Sequence, residues 1–303
     1  MKKILIILVL AILLVIAGCE KKDKEEVKKG PYEGGTNGLE ISFVEAKPPS
    51  EFDQDESVPV DMIIKNKGEY AIPSGKTQIM LYGLDLASFS LSEGYKTVQG
   101  DLRGVSEFMK EGGEQRLSFG SLRYKESIVN SEEFTLRAKV CYDYETKVST
   151  DVCMGSTILE EVGGEQICSI GGEKLTKNDV SSAPVQITSI KEELKSSDRL
   201  WFDIKIENKG KGDVYYVSES CSNLDREDED VIKIEVYPSD IVCAFKEGNS
   251  NKGTIDLENN KYTLTCKKTV TATGSNYEQK FSMKLDYKYI DRAEKTIKIF
   301  EAE

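Results

Sequence analysis

The sequence predicts an all-β protein that consists of two tandem antiparallel β-sandwiches behind an N-terminal signal or anchor helix. Three observations support this fold class. Apolar and polar residues alternate with period two in most segments after Leu39, which is typical of half-buried strands. Clusters of Gly, Asn, Asp and Ser separate these segments. Two parts of the chain also repeat each other, so the same unit is expected twice.

The first element is an apolar segment of signal-peptide type. Two lysines precede fifteen uncharged residues, 4–18. This run is shorter than the ~20 residues of a membrane-spanning helix and nearer the ~10–14 residues of a signal-peptide core. Ile16-Ala17-Gly18-Cys19 resembles a bacterial-type lipobox, whose cysteine receives a diacylglycerol group and becomes the new N-terminus. We therefore expect a signal peptide over 1–18 and lipidation of Cys19.

Two alternatives to lipidation stay open: an uncleaved anchor helix with Cys19 at its edge, and simple secretion. All three place the chain after residue 30 outside the cytoplasm, and both anchored forms place it on the extracytoplasmic face of the cell membrane. Residues 19–35 are rich in charge and predict a flexible tether. The membrane is therefore the first expected partner, reached through the N-terminus.

Composition argues against several functional classes. The formal net charge is −12, and an acidic surface repels phosphate backbones, so nucleic acid is not expected as a partner. The chain contains no histidine, which removes the commonest general base, the Ser–His and Cys–His nucleophile pairs and the commonest zinc ligand. We expect no catalytic residues and predict that the protein is not an enzyme.

The 303 residues are enough for two domains of ordinary size. The predicted units are a sandwich over 36–158 and a second over 183–303. Residues 159–182 lack alternation and hold two Gly-Gly pairs, which predicts a linker. Strands are predicted at 60–64, 116–119, 134–144, 200–208, 231–237, 262–270 and 281–290.

The repeat indicates how each unit begins and ends. VDMIIKNKG at 60–68 matches FDIKIENKG at 202–210, and the segment 134–153 matches the segment 281–300. Each unit is therefore expected to open with a strand that ends in Asn-Lys-Gly and to close with a long hairpin that carries a Tyr-x-Tyr pair. The paired tyrosines are Tyr142, Tyr144, Tyr287 and Tyr289.

The alternating strand followed by Asn66-Lys67-Gly68, and again by Asn208-Lys209-Gly210, resembles immunoglobulin-like domains of the cell-adhesion-related (CARDB) type found on archaeal and bacterial surfaces. The layout is also similar to that of archaeal cell-surface proteins, with shared stretches at 34–49, 110–115 and 183–188. The resemblance implies tandem immunoglobulin-like sandwiches and a surface location, and it brings no catalytic residues. Independently of it, Asn and Gly tolerate positive φ, so each trio suits a tight turn.

If the lipobox cysteine is lipidated, six cysteines remain, an even number that suits disulfides in an oxidising compartment. A hairpin centred on Lys147 sets Cys141 opposite Cys153, close enough to bridge with slight adjustment. Cys243 and Cys266 lie in or beside strands with a glycine-rich turn between them, and a second bridge is predicted there.

Cys168 and Cys221 remain, with two pairings open: they bridge the two units, or Cys168 competes with Cys141 for Cys153. A zinc site is not expected, because the chain has no C-x-x-C motif and no histidine. A nucleophilic cysteine is not expected either, because no base is available beside it.

No cofactor is expected. Calcium is the only metal ion for which the sequence offers candidate ligands. Calcium takes roughly 6–8 oxygen ligands, and acidic clusters occur as DREDED at 225–230 and DQDE at 53–56. Neither fits the EF-hand spacing, and the alternative is a solvated loop on an acidic protein. The candidate ligands of the first cluster are Asp225, Glu227, Asp228 and Asp230.

These observations predict a non-catalytic surface protein that presents loops or a sheet face to a surface protein or a polysaccharide. The first alternative is a structural subunit of an envelope layer or filament, in which exposed sheet edges would allow self-association. The second is an extracellular enzyme or its accessory domain, which carboxylates converging in a concave pocket would favour.

Overall fold

The structure of the chain, a computed structural model, describes residues 30–91, 93–155, 167–270 and 276–302. The predicted signal peptide and Cys19 lie outside these residues. Within them the chain is all-β, as predicted, and there is no helix long and apolar enough to cross a membrane. A short 3₁₀ turn covers Arg226–Asp228. The strands are β1 (Leu39–Phe43), β2 (Glu51–Asp53), β3 (Val58–Asn66), β4 (Thr77–Tyr82), β5 (Tyr95–Thr97), β6 (Glu114–Leu122), β7 (Ser131–Met154), β8 (Gly172–Glu173), β9 (Val185–Ser196), β10 (Arg199–Asn208), β11 (Asp213–Tyr215), β12 (Val231–Tyr237), β13 (Val242–Phe245), β14 (Gly248–Ser250), β15 (Lys252–Asp256), β16 (Lys261–Thr269) and β17 (Tyr277–Phe300).

These strands form three sheets. The three-stranded sheet has the order β1-β3-β6, and the six-stranded sheet has the order β14-β13-β16-β10-β9-β8. The eight-stranded sheet has the order β15-β12-β17-β7-β4-β5, and β2 and β11 also pair with β17. Neighbouring strands are antiparallel except for β2, which runs parallel to β17. The predicted class of antiparallel sheets packed as sandwiches is consistent with this arrangement.

The alternation in sequence becomes alternation of burial, which builds the core. Val60, Met62 and Ile64 on β3 are fully buried, and a hydrophobic cluster extends across all three sheets. The rings of Phe202 on β10 and Phe281 on β17 lie 5.8 Å apart, so the six-stranded sheet packs on the eight-stranded sheet. Each apolar face is thereby removed from water by another sheet.

β7 and β17 are single strands of 24 residues each, and they pair antiparallel along their whole length. The long hairpins predicted for these two segments are therefore wrong. The expected turn near Lys147 does not form, because Glu145-Thr146-Lys147-Val148 contains no Gly, Asn, Asp or Pro and the strand pattern runs through it. The two Tyr-x-Tyr pairs face each other across this strand pair.

The closing strands of the two repeats thus join both units in one sheet. The sheet β1-β3-β6 of the first unit corresponds to β9-β10-β16 of the second. The second unit adds β8 beside β9 and β13-β14 beside β16, which makes its sheet six-stranded. A repeat in sequence indicates that two units have similar strands, but it carries no information about which strands of different units pair.

The described parts of the predicted tether and linker are packed together in the fold. The Tyr32 N–H donates to the Asn178 carbonyl oxygen at 3.1 Å, and Asn178 Nδ2 donates to the Tyr32 carbonyl oxygen at 2.6 Å. The Glu69 carboxylate accepts hydrogen bonds from the N–H groups of Glu33 and Ser182 at 3.0 and 2.6 Å. The chain therefore makes fixed backbone contacts from residue 30 onward, within the range predicted as a tether.

Candidate functional site

One predicted disulfide is present, and the other cysteines pair differently. Cys243 and Cys266 are bonded and lie directly opposite each other on β13 and β16. The predicted Cys141–Cys153 bridge is wrong, because both residues lie on β7 and an extended strand of ~3.3 Å per residue separates them by ~40 Å. The disulfides of the described residues are Cys141–Cys221, Cys153–Cys168 and Cys243–Cys266.

The other two bridges tie other segments of the chain to β7. Cys221 comes from a loop of the second unit, so its bond to Cys141 staples the two units together. Cys168 comes from the predicted linker and is bonded to Cys153, so of the two pairings left open the second is present and the Cys168–Cys221 bridge is not. The alternation predicts that Cys141 and Cys153 face outward, yet they are only 3% and 1% exposed, because the segments that carry their partners cover them.

The acidic clusters do not form a metal site within the described residues. No group of three or more His, Cys, Asp or Glu side chains converges there in a way that could hold a metal ion. In the cluster at 53–56, Asp55 forms an ion pair with Arg123 at 3.2 Å. Near the 3₁₀ turn, burial and the negative charge of Glu229 raise the pKa of Asp230. The candidate calcium ligands that lie in or beside that turn are Asp225, Glu227, Asp228 and Asp230.

The Asn-Lys-Gly trios have the same structural role in both units. Asn66 is fully buried, and its Oδ1 accepts hydrogen bonds from the N–H of the glycine two residues later at 3.1 Å and from Tyr144 OH at 3.3 Å. Asn208 Oδ1 accepts the equivalent bonds, at 3.1 Å from its glycine and at 3.2 Å from Tyr289 OH. Each asparagine therefore closes its turn and holds it against a tyrosine of a closing strand.

Four tyrosines, two on β7 and two opposite them on β17, form a buried cluster, which we call the tyrosine seam. Neighbouring ring centroids are 5.7 to 6.3 Å apart. Tyr142 OH accepts the N–H of Leu39, and Tyr287 OH accepts the N–H of Val185, both at 3.3 Å. Burial raises the pKa of Tyr289 to about 12 and the pKa values of the other three above their ordinary value, so the phenols are neutral at physiological pH. The seam consists of Tyr142, Tyr144, Tyr287 and Tyr289.

Asp143 and Lys288 lie between the paired tyrosines along β7 and β17, and strand alternation turns their side chains to the opposite face of the sheet. Tyr142 and Tyr287 make equivalent contacts, an offset of 145 residues, so the match of 134–153 with 281–300 predicted from the sequence is two residues out of register. Asp143 and Lys288 are related by the same offset and are directly opposite each other in the register of β7 and β17. A pseudo-twofold axis therefore passes between them. Lys288 Nζ donates to Asp143 Oδ1, and Lys76 Nζ lies 3.1 Å from Asp143 Oδ2. Two identical charges at this axis would repel each other. Because the first unit has Asp143 and the second has Lys288 at the equivalent position, the two side chains form an ion pair instead.

An open cleft with a volume of about 590 Å³ lies beside the described part of the linker and is lined by several carboxylates and lysines. Asp151 in this cleft forms an ion pair with Lys280 at 2.8 Å. Burial raises the pKa of Glu173, but hydrogen bonds from Ser189 and from backbone N–H groups outweigh burial, so that the pKa is lowered overall.

The outer surface of the six-stranded sheet carries the single tryptophan of the chain, Trp201 on β10. Leu200 and Phe202 on either side of it are fully buried, so the alternation of the strand turns the indole outward. Lys267 on β16 lies opposite Trp201, with its Nζ 4.5 Å from the ring centroid. The Nζ of Lys195 on β9 is 5.9 Å from the same centroid, so two ammonium groups flank the ring.

Lysines outnumber carboxylates around this tryptophan. Glu193 pairs with Lys195 at 2.7 Å, and Asp203 accepts a hydrogen bond from Thr265 at 2.9 Å. The edge-strand carboxylate of Glu173 is already hydrogen-bonded to backbone and hydroxyl groups. Three lysines of this surface, at 191, 205 and 267, have no carboxylate of the described residues within 4.0 Å. We call this surface the lysine–tryptophan face, and it consists of Trp201, Lys191, Lys195, Lys205 and Lys267.

The sequence interpretation does not single out Trp201, although a signal for it exists. In LWFDIKIEN at 200–208, Leu200, Phe202 and Ile204 share the core face, which leaves Trp201 on the outer face. The flanking lysines come from β9 and β16, and only the register of three strands brings them to the ring. Their grouping could not be predicted from the order of residues along the chain.

Comparisons with known proteins leave the family open. No family model matches the chain, and no curated protein matches it. Among solved structures, the chain is similar to the secreted serine protease VesC from Vibrio cholerae, with 12% identity, a TM-score of 0.22, and coverage of 82% of this chain and 50% of that one. It is also similar to Escherichia coli alpha-2-macroglobulin activated by porcine elastase, with 10% identity, a TM-score of 0.16, and coverage of 89% and 23%. The chain thus spans half the length of the first structure and less than a quarter of the second, and at these TM-scores neither likeness bears on its function.

Proposed function

We propose that this chain is a non-catalytic cell-surface protein that binds an acidic polysaccharide through the lysine–tryptophan face. The observation that carries the proposal is an outward indole with ammonium groups 4.5 and 5.9 Å from its ring centroid, on a chain whose net charge is −12. The apolar face of a sugar ring stacks on a flat aromatic ring, and lysines pair with the carboxylates of uronic acids. A local excess of positive charge on an otherwise acidic surface favours an anionic ligand at this one place.

The sheet beneath this face supports its use as a rigid platform. β10 is paired on both sides, with β16 and β9, along most of its length. The Cys243–Cys266 disulfide fixes β13 to β16 next to Lys267. Side chains on paired strands keep their spacing better than side chains on loops, so the ring and the ammonium groups are held ready for a ligand.

Location at the cell surface is part of the same proposal. Structural disulfides are typical of oxidising compartments, so the three disulfides support an extracytoplasmic site for the folded part. The lipobox-like sequence that ends at Cys19 would tie the chain to the membrane through two acyl chains. The immunoglobulin-like character of the sandwiches and their likeness to CARDB-type adhesion domains are the expectations that agree with this role.

The test is a titration of the protein with a polysaccharide, monitored through the fluorescence of its single tryptophan. Polygalacturonate is expected to change the emission of Trp201 and neutral dextran is not. Lys267→Gln is expected to weaken binding of polygalacturonate about tenfold, because a charge-assisted hydrogen bond beside the ring is lost. Lys125→Gln serves as the matched control, since Lys125 is exposed and lies outside this face. Equal binding of dextran, or an equal loss of affinity in both variants, would overturn the proposal.

Self-association as a structural subunit is a second candidate, and one observation favours it. β6 pairs with β3 on one side, and within the described residues no strand covers its other side. Its repeat equivalent, β16, is covered there by β13. An open edge strand offers unpaired backbone groups to a strand of another copy.

Sedimentation velocity over a range of concentrations tests this second candidate. Association is expected to protect the amides of β6 from hydrogen exchange while the protection of β16, whose edge is already paired, stays constant. A monomer at all concentrations, or association with unchanged exchange in β6, would remove it.

A further inference from the structure

A groove on the other side of the molecule lies between β4, β5 and β7 and the loop of the second unit that the Cys141–Cys221 disulfide holds against β7. Its volume is about 320 Å³. The register places Met80 between Tyr95 and Lys139, and Gln78 between Thr97 and Cys141, so these side chains share the outer face of the eight-stranded sheet. We call this the Met80 groove, and its lining includes Gln78, Met80, Tyr95, Lys139, Leu224 and the disulfide.

The walls of the Met80 groove leave apolar surface in contact with water. Met80 and Tyr95 are directly opposite each other on β4 and β5, and they are 43% and 44% exposed. Leu224 and the disulfide add apolar surface from the other side. An apolar ligand body seated here would remove this surface from water, which is the main source of affinity in small-molecule sites.

Two polar groups of the groove have no partner in the described part of the chain. Gln78 Oε1 is buried and makes no hydrogen bond. Lys139 is half-buried and has no carboxylate within 4.0 Å. A buried polar group without a partner is unfavourable, and rotation of the Gln78 amide would present its NH₂ group to an acceptor. An anionic group placed between them would satisfy the amide and the ammonium together.

In the second repeat, the lysine equivalent to Lys139 has a counter-ion within its own unit. The offset of 145 residues relates Lys139 to Lys284 and Cys141 to Asp286. Lys284 Nζ lies 3.0 Å from Asp286 Oδ2, so the second unit supplies its own counter-ion. In the first unit the position of that aspartate is taken by Cys141, which is bonded to Cys221. The exchange of Asp for Cys both removes the counter-ion and recruits the loop that walls the groove.

We propose that the Met80 groove binds a small amphipathic carboxylate, a free aromatic or medium-chain aliphatic acid. Its carboxylate pairs with Lys139 and the Gln78 amide, and its apolar body lies over Met80 and Tyr95. The volume of the groove is near the lower end of the ~300–1,000 Å³ typical of ligand pockets, which favours a free acid over a longer chain. Arg292, which is opposite Lys139 on β17, already pairs with Asp213, so Lys139 supplies the positive charge that attracts the anion.

Calorimetric titration of the full chain with 4-phenylbutyrate and with 4-phenylbutan-1-ol tests the proposal without any variant. The acid is expected to bind about tenfold more tightly than the alcohol, since only the acid pairs with an ammonium group. Equal affinities would overturn it. The wild-type comparison remains decisive even where a variant fails to fold.

Matched variants then locate the site. Lys139→Met is expected to weaken binding of 4-phenylbutyrate about tenfold, and Lys284→Met, at the repeat-equivalent position, is expected to leave it unchanged. The same loss in both variants, or in neither, would overturn the assignment to this groove. A short peptide that ends in a free Phe carboxylate is the last arm. Tighter binding of that peptide than of the free acid would show that the occupant is a chain terminus and would overturn the assignment of a free acid to the groove.

Discussion

Replacing Asp143 is expected to destabilise the protein more than replacing Lys288, although the two residues form one ion pair. The reason is the difference in their remaining contacts. Lys288 has a side chain that is only 6% exposed, and Asp143 is its one ion-pair partner in the described residues. Asp143 also pairs with Lys76 at 3.1 Å, and that lysine is more than half exposed. Asp143→Asn therefore strands a buried charge, whereas Lys288→Met leaves the carboxylate with a second cation.

The magnitudes follow from this asymmetry. Breaking a buried pair so that one charge is left uncompensated costs ~3–5 kcal/mol. The amide oxygen that Asp143→Asn introduces still accepts a hydrogen bond, so a cost at the lower end, ~3 kcal/mol, is expected for this variant. Lys288→Met keeps the length of the side chain and loses one charge-assisted bond, which corresponds to ~1–2 kcal/mol. The double variant Asp143→Leu/Lys288→Met removes both charges and is expected to be within ~1 kcal/mol of the wild type.

Urea unfolding at neutral pH, followed by Trp201 fluorescence and by circular dichroism, measures the three free energies. The single variants also need comparison with Lys76→Met, which should cost less than either, because Lys76 is largely exposed. A Lys288→Met variant that is less stable than Asp143→Asn would refute the reasoning. So would a double variant less stable than both single variants, since it would show that the pair contributes more than its desolvation costs.

Three further outcomes are expected. Fragments 30–155 and 167–302, expressed apart under oxidising conditions, should remain unfolded or oligomeric and form a cooperative unit only when mixed, because β7 and β17 pair along 24 residues; sedimentation and circular dichroism distinguish these states, and two stable monomers would contradict the shared sheet. Asn66→Ala should cost ~3 kcal/mol, more than Asn208→Ala, because Asn66 is fully buried and its amide donates to the Tyr70 carbonyl oxygen, which would lose that bond out of reach of water, whereas Asn208 is only half-buried; denaturant unfolding of the matched pair decides, and equal costs would contradict it. Stability should fall as pH rises from about 10 towards about 12, because an unfolded tyrosine ionises at its ordinary pKa while burial raises that of Tyr289 to about 12; unfolding followed by phenolate absorbance tests this, and constant stability over that range would count against it.

The strands of each unit were predictable, and the way the units meet was not. Alternation such as that of Val60, Met62 and Ile64 depends on local residues only, so the sequence places these residues on a core face and the structure buries them. The segments of β7 and β17 show the same alternation, but a strand pattern does not say whether the chain turns back on itself. The pairing of β7 with β17 depends on the fold of the whole chain.

The predicted Cys141–Cys153 pairing failed for the same reason. Cys243 and Cys266 lie on strands that are neighbours within one unit, and local strand reasoning found them. Cys141 and Cys221 come from different units, so their contact exists only because the units share a sheet. A wrong turn near Lys147 was enough to pair Cys141 with Cys153, because an error of one turn moves every residue after it to a new neighbour.

The positions at which the two repeats differ are those that make one chain out of two similar units. If two copies of the first unit paired through β7 in the observed register, Asp143 of one copy would meet Asp143 of the other. Two buried carboxylates cannot both stay ionised at that distance without a large cost. With Lys288 at the equivalent position, the second unit is the matching partner for the first, and the same difference disfavours a dimer of like units. Two residues before Asp143, the first unit has Cys141 where the second unit has Asp286. The counter-ion of the second unit is thus replaced, in the first unit, by a disulfide to the other unit. The opposite charges of Asp143 and Lys288 and the nearby disulfide therefore favour the pairing of two unlike units. Lys139 has no counter-ion because the disulfide cysteine occupies the position of the aspartate that pairs with the equivalent lysine.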